Sequence, residues 1–186
     1  MLREIPVELV NPGDLGLSFQ VTEDGTTYLE NARKKAQAAV GLTGLPALAD
    51  DSGLEVPLLG GKPGVDSAYF AGKEHQRDSQ ALVDALLKAL GDRAPGRPAA
   101  TFRCTAVMLL PGGREFVGEG LLTGTIAQKP KGKHGFGFDP IFVLPDGRHL
   151  AELSIDEKNL LSHRARALNA LDVHGAFDAL LAARAG

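Results

Sequence analysis

The stretch Thr101–Ala127, TFRCTAVMLLPGGREFVGEGLLTGTIA, decides the class of fold. Thr101–Leu110 reads as a long strand with apolar residues on both faces. Pro111-Gly112-Gly113 turns it into Glu115–Gly118, and Leu121–Ala127 continues in strand-like fashion. Strands joined by tight turns argue against a uniform parallel sheet. Helical periodicity lies on both sides of this block. The expectation is an α/β fold, with an elongated, mixed, twisted sheet flanked by helices.

Upstream, Thr27 and Glu30 have the form of a capping box, and Leu29, Ala32, Ala36, Ala39 and Val40 recur at helical spacing until Gly41 and Gly44. Pro46–Ala49 is a short buried strand that ends in Asp50-Asp51-Ser52-Gly53, and Leu54–Leu59 is a further strand closed by Gly60-Gly61. A second helix carries Ala81, Leu82, Ala85, Leu86, Ala89 and Leu90 on one face, stops at Gly91, and is followed by a loop over Asp92–Pro98. Glu8-Leu9-Val10 reads as a short strand before the Asn11-Pro12-Gly13 turn. Downstream, Lys129–Gly137 cannot be regular structure, Ile141–Leu144 is a strand, and Asp146-Gly147 is a turn. A second capping box falls at Ser154 and Glu157. The last helix runs from about His163 to Arg184, with Leu168, Leu171, Phe177 and Leu181 as its apolar stripe.

With 186 residues the chain is expected to be a single domain over 1–186. Lys and Arg total 20 against 23 Asp and Glu, so there is no basic excess and no nucleic-acid partner is expected. The apolar runs are too short for a membrane span, and the start MLREIPVELV has no signal-peptide core. The single cysteine, Cys104, cannot form an internal disulfide and fits a reducing compartment, so a cytoplasmic location is expected. Glycine is in excess, with 23 Gly beside 11 Pro. Such a share implies many tight loops on an ordered scaffold, and loops of that kind carry function.

Four segments carry candidate chemistry. Asp50-Asp51 is either a solvated turn or a site for a hard cation such as magnesium, and one carboxylate could also act as a base toward water. Lys129–Asp139, KPKGKHGFGFD, is either a surface hairpin loop or an anion cradle. In the second case Phe136 and Phe138 would stack on a flat ring and Asp139 would accept from a base edge. Lys158, His163 and Arg164 are either a solvated helix entry or a cationic patch for phosphate or a purine carbonyl. Asn31 and Lys35 share a helix face that an ordinary amphipathic helix also explains. Paired carboxylates, scattered cations and an aromatic loop together fit metal-assisted hydrolysis of a nucleoside triphosphate.

DGTTYLENARKKAQAA, LADDSGLEVPLLGGKPGVDSAYFAG, HGFGFDPIF and AELSIDEKNLLSHRARAL follow one another as they do in the inosine triphosphate pyrophosphatase family, which this chain resembles from Leu15 onward. The resemblance implies two lobes with a central nucleotide cleft. It implies hydrolysis of ITP, dITP and XTP to the monophosphate and pyrophosphate, with Mg2+ as cofactor and a homodimer as the assembly. Asp51 would accept the proton from water and ligate magnesium, Glu23 would be a second metal ligand, and Asp50 would support that site. Lys35 and Ser52 would contact substrate, with Lys35 on phosphate. Phe136, Gly137, Phe138 and Asp139 would hold the base and ribose, and Lys158, His163 and Arg164 would read the purine.

Two departures qualify these expectations. The family opens with a strand and a T-G-N-x-x-K loop that grips the triphosphate, whereas Met1–Ile5 resembles the residues after that loop. A chain without that loop could instead be a nucleotide-binding protein with little or no catalysis. Tyr69-Phe70 also stands where the family has Arg-Tyr, removing one cation.

Overall fold

The computed structural model describes residues 5–76, 78–91 and 96–183. Its helices are α1 (Tyr28–Thr43), α2 (Ser79–Leu90), α3 (Ile155–Leu161), α4 (His163–Val173) and α5 (Ala176–Ala182). Its strands are β1 (Ala47–Glu55), β2 (Ala99–Leu109), β3 (Glu115–Ile126) and β4 (Phe142–Val143). The strands form one antiparallel sheet in chain order, with Thr125 opposite Val143 and Ile126 opposite Phe142. The α/β class and the long paired strands expected from the hairpin are present, while the sheet is antiparallel rather than mixed. No described helix is long and apolar enough to cross a membrane.

The chain divides into two compact units. The first comprises the described residues of Met1–Asp51, Cys104–Gly120 and Arg166–Gly186. Strand alternation organises its core, because successive side chains point to opposite faces. Val107 and Leu109 meet Ala32 and Ala36 of α1, whose small side chains let the helix lie close. Cys104, Ala106 and Met108 meet Ala167 and Leu171 of α4 and Phe177 of α5. Full burial of a side chain such as Leu171 or Phe177 contributes about 1.5–3 kcal/mol. In the second unit, Ser52–Arg103 and Leu121–Ala165, the apolar face of α2 packs through Leu82, Leu86 and Leu90 on Leu54, Phe102, Ile126 and Phe142.

Several boundaries differ from the sequence reading. Asp50-Asp51-Ser52-Gly53 lies inside β1 rather than beyond its end. Strand character stops at Glu55, and Pro57–Leu59 forms a 3-10 turn, because Pro57 has no N–H to give a ladder. Glu115–Gly118 and Leu121–Ala127 merge into the single strand β3. Glu8–Val10 forms no strand and leaves Leu9 exposed. The last helix is two helices, since Gly175 takes φ 74°, a left-handed value that a continuing helix cannot hold. Met1–Glu4, residues 92–95 of the expected loop, and Arg184 of the expected last helix lie outside the described residues.

Candidate active site

The first unit holds a cluster of carboxylates around a lysine. The Thr27 hydroxyl accepts from the Glu30 N–H at 3.2 Å, and the Glu30 carboxylate accepts from the Thr26 and Thr27 N–H groups at 2.7 and 3.2 Å. This box fixes the start of α1 and presents Asn31 and Lys35, four residues apart, on one face. Lys35 Nζ donates to Glu23 Oε2 at 2.8 Å and to Asp51 Oδ1 at 3.0 Å. Asn31 Nδ2 donates to Asp51 Oδ2 at 3.2 Å, while Asn31 Oδ1 accepts from the Gly25 N–H at 2.8 Å.

Burial pushes the Asp51 carboxyl above its ordinary value, against the opposing charge and hydrogen bond of Lys35 and the hydrogen bond from Asn31. Burial also pulls on the Lys35 ammonium, but the Glu23 bond and the Asp51 charge outweigh it and raise its pKa. The result is a carboxylate of increased basicity held beside a firmly protonated lysine.

Glu23 and Asp51 converge on one cation, and two carboxylates completed by substrate phosphates suit magnesium. Among the described residues no three acidic, His or Cys side chains gather around a common point. Asp50 does not join the pair. As the neighbour of Asp51 on a strand it faces the other way, where Cys104 Sγ lies 3.6 Å from its Oδ2.

The second unit holds an aromatic loop set among cations. Phe136 is 58% exposed, with Lys158 Nζ 5.0 Å and Arg164 Cζ 5.2 Å from its ring centroid. Asp139, 2% exposed, accepts from the Phe136 N–H at 2.9 Å and from the Lys158 ammonium. Gly135 takes φ +80°, and a Cβ there would overlap the Asp139 carboxylate and come 2.9 Å from Lys158 Nζ. The Gly137 N–H donates to Ser79 Oγ at 2.7 Å. Arg164 Nη2 donates to Ser52 Oγ at 3.0 Å, and the His163 ring stacks on Phe102 at 4.8 Å and 10°. Ser162 Oγ accepts from the Ala165 N–H at 3.2 Å, which caps the start of α4 where His163 and Arg164 sit.

A model of the Ham1 family matches residues 1–174. The chain belongs to the Ham1 family. It is 49% identical over 169 residues to a Streptomyces coelicolor protein named dITP/XTP pyrophosphatase, covering 90% of this chain and 83% of that one. A Symbiobacterium thermophilum protein of the same name is 48% identical over 150 residues, 80% of this chain and 74% of the relative. The solved structure of a HAM1 protein from Coxiella burnetii superposes with a TM-score of 0.82 at 38% identity, covering 92% of this chain and 87% of that one.

In this Ham1-family chain the expected site residues fall into two groups. Glu23, Lys35 and Asp51 come together in the first unit. In the second, Ser52 meets Arg164, and Phe136, Asp139 and Lys158 form a connected set. Asp51 and Ser52 are consecutive residues of β1. Phe138 does not offer a stacking face, because its ring is buried in the core of the second unit, which leaves Phe136 as the exposed aromatic. The carboxylate expected to accept from a base edge is already engaged within the protein, by Lys158 and the Phe136 N–H. The sequence does not point to Ser79 or Phe102 as partners of site residues, and it places Asn31 beside Lys35 but not on Asp51. Of these, only Asn31 left a local trace, as a polar residue four before Lys35 on a helix face.

Proposed function

We propose that this chain hydrolyses non-standard purine nucleoside triphosphates, ITP, dITP and XTP, to the monophosphate and pyrophosphate. The observation that carries the reading is the convergence of Glu23, Lys35 and Asp51, two carboxylates and an ammonium on a single point. It is supported by the names of the relatives, dITP/XTP pyrophosphatase, over most of their length.

Asp51 takes a proton from the attacking water, and its raised basicity favours that transfer. The water oxygen bonds to the α-phosphorus, and the bond from that phosphorus to the oxygen bridging the β-phosphate breaks. Pyrophosphate departs with the bonding pair. Lys35, which gives two of its three donors to Glu23 and Asp51, turns its charge toward the phosphate chain and offsets the charge that develops there. Glu23 and Asp51 would hold a magnesium ion, which when bound neutralises phosphate charge.

Phe136 offers its ring to the base. Lys158 and Arg164 supply only donors, which suit the carbonyl at purine position 6 and oppose the amino group of adenine. A mismatch there costs about 1–3 kcal/mol. The reading extends to a homodimer in the cytoplasm, a compartment that fits a chain whose single cysteine, Cys104, is buried.

The test is pyrophosphate release from ITP, dITP, XTP, ATP and GTP with and without magnesium. The expected result is magnesium-dependent release from the first three and little from ATP. Equal turnover of ATP, or no release from any of the five, contradicts the proposal.

A further inference from the structure

We propose that Asn31 is a positioning residue that fixes Asp51 and the Glu23-bearing segment to each other, and so sets the geometry in which Asp51 meets water. This rests on the role given to Asp51 above. Asn31 is 3% exposed in the first turn of α1, where its side chain gains nothing for the helix itself. A buried amide is costly unless its hydrogen bonds are made. Here both ends are engaged, the Nδ2 end on Asp51 Oδ2 at 3.2 Å and the Oδ1 end on the Gly25 N–H at 2.8 Å.

The two bonds need opposite chemistry. Asp51 must receive a donor, and the Gly25 N–H must receive an acceptor. An amide supplies both from one rigid plane. A carboxylate at 31 would serve Gly25 but oppose Asp51, and an aliphatic side chain would serve neither. Lys35 holds Asp51 Oδ1 while Asn31 holds Oδ2, so the plane of the carboxylate is fixed at both oxygens. Glu23 lies two residues before Gly25, so the amide that orients one carboxylate also tethers the segment carrying the other. The fit at Gly25 is close. A Cβ there would come 2.6 Å from Asn31 Oδ1 and 2.8 Å from Glu30 Cβ.

The experiment measures kcat and KM for dITP, together with thermal midpoints, in wild type, Asn31→Leu, Gly25→Ala and Asp51→Asn. Asn31→Leu is expected to lose about 100-fold in kcat, the scale of a roughly 1 Å misplacement, with KM within about threefold. Gly25→Ala displaces the Asn31 amide without deleting it, and its kcat is expected to fall in the same direction by about tenfold or more. Asn31→Leu at wild-type kcat, or a loss appearing wholly in KM, overturns the proposal. If Asn31→Leu is unfolded at the assay temperature, Gly25→Ala decides, and wild-type kcat there overturns it. Turnover retained in Asp51→Asn overturns the underlying role of Asp51 instead, so the two failures are distinguishable.

Discussion

Each unit buries an aspartate against a lysine, and the two pairs are built to opposite ends. Asp51 shares Lys35 with Glu23, so two carboxylates face one ammonium and the cluster keeps a negative excess. Asp139 has Lys158 together with a backbone N–H, and Lys158 and Arg164 both stand over the same exposed ring. A negative excess calls for a further cation and supplies a base. Two cations at an exposed aromatic ring suit a flat, acceptor-rich ligand. On the proposed function, the same pair of residue types would serve proton transfer in one unit and recognition in the other, and what differs is what accompanies it, a second carboxylate in one and an exposed ring with a second cation in the other.

Changes that remove one partner test this contrast. Asp139→Ala leaves the Lys158 ammonium largely buried without its carboxylate and frees the Phe136 N–H, so a stability loss of about 3–5 kcal/mol is expected in urea unfolding. A loss under about 1 kcal/mol would show that water replaces the carboxylate and that the pair is not a clamp.

Lys35→Met is expected to reduce kcat by about 10²–10³, the scale for losing one preorganised charge donor, with a smaller change in KM. If KM alone changes, Lys35 belongs with recognition and the contrast fails.

Phe136→Ala should do the reverse, weakening nucleotide affinity by about 1–3 kcal/mol in calorimetry while kcat at saturation holds.

The Arg33–Glu115 pair of the first unit, bidentate at 2.8 Å and partly exposed, is the control that touches neither cluster. The Arg33 hydrogen bond holds the Glu115 carboxyl below its ordinary value, with the Arg33 charge adding to it. Its contribution is therefore present above the unfolded carboxyl pKa and lost as pH falls through the folded one. Glu115→Gln should flatten that acid limb by about 0.2–1 kcal/mol and leave kcat unchanged.

What could be read in advance follows the range of the forces involved. The Thr27–Glu30 box spans three residues, and it formed as its sequence specifies. The hairpin at Pro111–Gly113 likewise announced its own strands. The place of Asp50 and Asp51 inside β1 was hidden because charged residues read as the end of an apolar run, while their burial is set by α1 and by Cys104. Phe136 and Phe138 look equivalent in GFGF, and only the packing of the second unit separates the exposed ring from the core ring. The break at Gly175 was masked by Leu171 and Phe177, whose apolar spacing runs across it. Asn31 and Asp51 lie 20 residues apart, beyond any local pattern.

The most direct test of the division between the two clusters is a single-turnover measurement of pyrophosphate release from dITP by Asp51→Asn, beside calorimetric binding of the same nucleotide. The expected result is a single-turnover rate constant lower by about 10²–10⁴ with affinity within a few-fold of wild type. Release at the wild-type rate, or loss of binding in step with loss of release, would contradict the assignment of proton transfer to Asp51 and recognition to the Phe136 cluster.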